Sequence, residues 1–157
     1  MRNLYMIGIG GDAVNSNIEI HDLRFIVATS IEETYDVLRN DWDGVKSSLH
    51  IDSYKILSEI DGYSIEIGSQ SAKDLYLIHF GGIEVNKFGE AHLMSFLLAD
   101  NEKEAARMGN EMINGLSNID HIDAIRNISA QIGVELSFSK GNYTFNEIPD
   151  WQGYIKL

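Results

Sequence analysis

Apolar residues recur along this chain at two spacings, and the switch between them sets the expected elements. Leu4 to Ile9 is a short apolar run closed by Gly10-Gly11, which predicts a first strand followed by a glycine turn. From Ile18 to Ala28 the pattern becomes alternating. Glu19, His21, Leu23, Phe25 and Val27 then share one face of a second strand, because strand side chains repeat with period two. Helical spacing follows: Ser30 to Glu33 fits a capping box, Ile31, Tyr35, Leu38 and Trp42 fall on one helix face, and Gly44 is placed to end it. Leu49 to Ile60 reads as a third strand with His50, Asp52, Tyr54, Ile56 and Ile60 on a shared face. Asp61-Gly62 signals a tight hairpin into a fourth strand, Tyr63 to Ile67.

The same pattern returns 71 positions later. Residues 4–67 align with 75–138 without a gap and give 18 identical pairs in 64, where unrelated sequences match at about 4. The pairs include Gly10/Gly81, Gly11/Gly82, Asn15/Asn86, Glu19/Glu90, His21/His92, Phe25/Phe96, Gly44/Gly115, His50/His121, Asp52/Asp123 and Gly62/Gly133. The expected fold is therefore α+β: a tandem duplication of a β-β-α-β-β module, two modules packed with pseudo-two-fold symmetry, mostly antiparallel sheet with two helices. Residues 1–71 would form the first module and 72–139 the second. Residues 140–157 would be a C-terminal tail packed on the body through Tyr143, Phe145, Ile148, Trp151 and Tyr154.

Composition narrows the chemistry. The chain has 157 residues, enough to bury a core unaided, and no cysteine, which removes disulfides, thiolate metal sites and thiol nucleophiles. The first apolar run breaks at Gly8 and has no small-residue cleavage site after it, and no segment reaches the roughly 20 apolar residues of a membrane span. A cytoplasmic location is the expectation. A net charge of -12 disfavours phosphate backbones over the surface, so neither nucleic acid nor membrane is an expected partner. A basic protein partner, or a homodimer formed by exposed strand edges, agrees better with that charge and with this fold class.

Chemistry gathers at the repeated pairs. Four of the five histidines lie in them, and His79 alone has no counterpart, since Gly8 occupies its place. Glu19, His21, His50 and Asp52 would meet if strands two and three are neighbours, and Glu90, His92, His121 and Asp123 would do the same in the second module. Two imidazoles and two carboxylates suit a divalent metal such as zinc, manganese or iron(II). The same residues also suit a hydrogen-bonded network pinning two strands, or acid/base chemistry without metal. Gly8-Ile9-Gly10-Gly11 lacks the spacing of a dinucleotide loop, and both Gly-Gly pairs read as backbone turns.

Three motifs in order, Ile18-Glu19-Ile20-His21-Asp22-Leu23-Arg24-Phe25, Ile31-Glu32-Glu33-Thr34-Tyr35 and Leu49-His50-Ile51-Asp52-Ser53-Tyr54, resemble a bacterial domain-of-unknown-function family present as one or two tandem copies per chain. The resemblance implies a small bacterial protein and carries no activity with it. Two readings of function follow from the residues. One is a binding or protein-interaction module without catalysis. The other is a metal-binding enzyme or metal-dependent small-molecule binder using the repeated Glu-x-His and His-x-Asp pairs.

Overall fold

The first apolar run extends through both glycines: β1 spans Asn3–Gly11 in a computed structural model that describes residues 1–157. Gly10 and Gly11 are strand residues, and neither has a positive φ, so the expected glycine turn is absent. The left-handed conformation falls on the next loop instead, at Asn15 and Asn86, both with φ 67°. The fold is α+β with mostly antiparallel sheets and three α-helices. It divides into two units, Met1–Glu59 with Thr144–Leu157, and Ile60–Tyr143.

In the first unit β2 (Ile20–Ala28) and β3 (His50–Ile56) flank β1 on opposite sides, and β10 (Trp151–Lys156) lies beyond β3. The pairing of β1 with β3 slips by one residue: Gly8 faces Ser53, Ile9 faces Ile51, and Asp52 is the extra residue of a β-bulge. That bulge shifts the alternation and divides the face expected for the third strand. Ile51, Tyr54 and Ile56 pack with Tyr5, Ile7 and Ile9, while His50 and Asp52 stand over Gly10 on the other face. Ile31, Leu38 and Trp42 cover the apolar side, as their spacing predicts.

The helical segment starts differently from its motif. A 3-10 turn at Glu32–Thr34 precedes α1 (Tyr35–Asp41), no side chain caps it, and the Glu33 carboxylate accepts from the Thr29 N–H at 2.7 Å and the Thr29 hydroxyl at 2.6 Å. Trp42 then fits where Gly11 and Gly44 lack side chains: a Cβ on Gly11 would lie 3.0 Å from the indole, and one on Gly44 2.6 Å from it. β10 is held by the Asp150 carboxylate, which accepts the Ile56 N–H at 2.6 Å, and by Trp151 stacked on Tyr54 with centroids 5.8 Å apart.

In the second unit β6 (Asp74–Gly82) runs between β7 (Ala91–Ala99) and β8 (His121–Asn127). The register slips between His79 and Phe80, and here the extra residue is Asp123. α2 (Glu102–Ile113) places Ala105 against Tyr76, Ile78, Phe80 and Leu97. Its cap follows the motif: the Asn101 side chain accepts the Glu104 N–H, and the Glu104 carboxylate accepts the Asp100 N–H. Gly62, with φ 81°, turns the hairpin from β4 (Glu59–Ile60) into β5 (Tyr63–Ile67), which pairs with β9 (Leu136–Lys140). No matching hairpin occurs later. Asn127 caps a short helix, α3 (Ile128–Ile132), and Gly133 with φ 63° ends it, so three helices stand where the repeated pattern gave two.

Candidate functional site

A residue without a side chain decides where the polar groups meet. β2 and β3 are not neighbours, contrary to the condition set by the motif pairs, because β1 runs between them. Gly10 sits opposite His21 on one side and His50 on the other, and the two pairs converge over it. A Cβ there would lie 2.9 Å from His21 Cδ2, 2.9 Å from His50 Nε2 and 3.1 Å from Asp52 Oδ2, so only glycine leaves the space open. The bulge turns Asp52 toward the same point.

All four predicted residues of the first unit are brought together. His50 Nε2 lies 3.2 Å from Asp52 Oδ1 and 3.7 Å from Glu19 Oε2, and His21 Nε2 lies 3.7 Å from Asp52 Oδ2 and 3.9 Å from Glu19 Oε2. His50 is oriented from behind: its Nδ1 is 2.9 Å from the Ser48 carbonyl oxygen. A carbonyl only accepts, so Nδ1 donates to it, and Nε2 is the ring nitrogen turned to the two carboxylates. Tyr154 of β10 stacks on the same ring at 4.4 Å, leaving His50 2% exposed.

The second unit builds its cluster over Gly81, which pairs with both His92 and His121. A Cβ on Gly81 would fall 2.6 Å from Glu90 Oε1, 2.6 Å from His121 Nε2 and 2.7 Å from Asp123 Oδ2. His121 Nε2 lies 2.9 Å from Glu90 Oε1 and 3.0 Å from Asp123 Oδ1, and its Nδ1 is paired with the Asp120 carboxylate. The hydrogen bond to Asp120 raises the His121 pKa above the usual imidazole value. Desolvation opposes that rise, and the charges of Asp123, Asp120 and Glu90 add to it. β8 is the last strand of its sheet, and the His121 side chain is 48% exposed.

Residues 16–67 match the family model of DUF1543, a Domain of Unknown Function. The DUF1543 match spans β2 to β5 and so contains Glu19, His21, His50 and Asp52. The chain is also similar, at 29% identity and a TM-score of 0.74, to the crystal structure of a protein Il1583 from Idiomarina loihiensis, with 100% of this chain and 99% of that chain covered. No curated protein matches.

Five participants lie outside the candidate residues of the sequence or were given another role there. Ser48 acts through its backbone and Tyr154 arrives from a strand over 100 positions away from His50, so neither leaves a local signal. The sequence does mark Gly10 and Gly81 as repeated glycines, a mark that fits close approach as well as a turn. His79 is marked by its place two residues before Gly81 on the same strand face.

A cavity of about 300 Å³ in the second unit, lined by Gln70, Ser71, Lys73, Asp74, Ser129 and Glu135 among others, contains none of the clustered residues. Its one cation, Lys73, is already paired with Asp100 at 3.2 Å and Glu104 at 3.6 Å. No helix is long and apolar enough to cross a membrane.

Proposed function

We propose that the protein binds divalent transition-metal ions over Gly10 and over Gly81, using Glu19, His21, His50 and Asp52 in one unit and Glu90, His92, His121 and Asp123 in the other. The observation that carries this reading is the orientation of His50. Its Nδ1 is tied to a carbonyl, and its Nε2 faces two carboxylates over a floor cleared by glycine. Two imidazole nitrogens and two carboxylates converging on one point are a donor set that can hold a divalent cation. A backbone or carboxylate partner on the far ring nitrogen is how metal-ligating histidines are held, and Ser48 and Asp120 supply one each.

The rival account, a network that pins strands, finds less to do. β1 already pairs with both flanking strands along most of their length, and the apolar face carries fully buried Ile7, Ile51, Ile78 and Phe80, worth about 1.5–3 kcal/mol each. Exposed ion pairs add about 0–1 kcal/mol. Mixed nitrogen and oxygen donors without sulfur suit zinc, manganese or iron(II), and four protein ligands at most leave positions for water or a small anionic ligand. The two sites are read as copies from a duplication of modules 1–71 and 72–139. The 71-residue register and the like order of β3-β1-β2 and β8-β6-β7 support that history.

The test is metal content by inductively coupled plasma mass spectrometry on protein purified without a histidine tag. Stoichiometric metal is expected, reduced by H21A and by H92A. A metal-free chain that takes up no zinc, manganese or iron(II) on dialysis would sink the proposal. A second reading rests on β8, whose outer edge carries no strand while β3 is covered by β10. There a partner or a second copy could add a strand. Light scattering showing a monomer at all concentrations, with no partner retained at low salt, would exclude it.

A further inference from the structure

The second unit holds one more histidine at its cluster than the first. His79 takes the place on β6 that Gly8 takes on β1, and it stands opposite Ala124 where Gly8 stands opposite Ser53. The His79 ring stacks on His92 with centroids 4.9 Å apart and planes at 22°. Both rings turn Nδ1 to a single oxygen: His79 lies 3.3 Å and His92 3.2 Å from Asp123 Oδ2. The other oxygen of that carboxylate, Oδ1, is 3.0 Å from His121 Nε2, which in turn is 2.9 Å from Glu90 Oε1.

One carboxylate thus serves two donor sets. His79, His92 and Asp123 form one, Glu90, His121 and Asp123 the other, and within each set the ligand atoms lie within 4.8 Å of one another. A cation with ligands at about 2.0–2.2 Å and at angles of about 90–180° spans donors separated by about 2.8–4.4 Å, so each set is of a size to close on one ion. A single ion on either oxygen of Asp123 would leave the other set facing itself.

We propose that the second unit holds a pair of divalent metal ions bridged by Asp123, and that the first unit holds one ion. This rests on the metal-binding reading above and goes further in number and division of labour. His79 and His92 give one ion a nitrogen-rich half, and Glu90 with His121 gives the other an oxygen-richer half. Paired ions of this kind sit about 3.5–4 Å apart. Two such ions outweigh the charges of Glu90 and Asp123, making a cationic point on a chain of net charge -12 that would draw a small anionic ligand. The first unit has no counterpart for the nitrogen-rich half. Gly8 brings no donor, and His21 alone faces Asp52 Oδ2, at 3.7 Å.

The experiment silences the first unit with E19A/H21A/D52A, all at exposed or half-buried positions, and measures zinc per chain after equilibrium dialysis. Two ions are expected. Adding H79A should leave one, and adding D123A should release both. Manganese electron paramagnetic resonance of the silenced chain should show an exchange-coupled pair that H79A converts to an isolated ion. One ion per silenced chain, or two retained after H79A, overturns the bridge while leaving metal binding intact. No ion in any form, the unsubstituted chain included, removes metal binding itself and the bridge with it. If H79A fails to fold, H79Q and the resonance spectrum of the silenced chain answer the same question.

Discussion

Replacing Gly81 by alanine separates the site from the scaffold. Gly81 has no positive φ, so its backbone accepts alanine, and the lower freedom of the unfolded chain favours the variant by about 0.4–1 kcal/mol. The added Cβ would stand 2.6 Å from Glu90 Oε1 and His121 Nε2, both tips of exposed side chains. Restoring ordinary contact at about 3.4 Å moves those ligands by about 0.8 Å, beyond the roughly 0.5 Å that a site tolerates. The metal-free protein should therefore melt at the same temperature or slightly higher, while metal affinity in the second unit falls about a hundredfold. For each bound ion, at a metal concentration 100 times the native Kd, binding stabilises by about 2.7 kcal/mol, and a hundredfold loss reduces this to about 0.4 kcal/mol. At about 2–4 °C per kcal/mol for a chain of this size, the zinc-induced rise in Tm per ion should shrink from about 5–11 °C to about 1–2 °C, read by circular dichroism with the first unit silenced. Gly82 is the control, since its Cβ would lie 2.6 Å from Ile119 Cα and overlap the Asn118 carbonyl, backbone that cannot move aside. G82A should lose about 1–3 kcal/mol without metal. A zinc response in G81A equal to that of the parent chain, or a metal-free loss as large as that of G82A, would refute the reasoning.

Two further outcomes follow from burial and capping. H50A should lower the metal-free stability by about 1–3 kcal/mol, because it removes the ring under Tyr154 and strands the Ser48 carbonyl, whereas H121A should leave the metal-free melting curve unchanged and both should abolish metal at their own site. N101A should cost about 1 kcal/mol in urea denaturation through loss of the α2 cap, with metal content untouched.

Much of this was legible in the chain because periodicity reports which side of an element is buried. Ile31, Leu38 and Trp42 pack where helical spacing puts them, and Glu19, His21, His50 and Asp52 do meet, though across β1 and not on neighbouring strands. What escaped depends on contacts between distant residues. Neighbour order was hidden, since nothing in β2 or β3 says that β1 passes between them. The phase of β3 was hidden too, because a period-two reading carries Tyr54 and Ile56 to the side of His50, and a one-residue slip returns them to the core. The glycine pairs were misread as turns because glycine marks both left-handed backbone and close approach, and only three-dimensional neighbours tell these apart. Residues 128–132 became a helix where the earlier copy has a hairpin, since Asn127 can cap and Ile56, its counterpart, cannot.

The slip in β3 and β8 has one more consequence. With Asp52 left out, Ile51, Tyr54 and Ile56 would still face Ile9, Ile7 and Tyr5, and with Asp123 left out, Ile122 and Ala124 would still face Phe80 and His79. Each aspartate is supernumerary to the ladder with the central strand, β1 or β6, and its carboxylate is displayed at the point where that strand has no residue opposite it. One residue without a partner on the central strand is enough to display a carboxylate on such a sheet while Ile51, Tyr54 and Ile56 keep their places opposite Ile9, Ile7 and Tyr5.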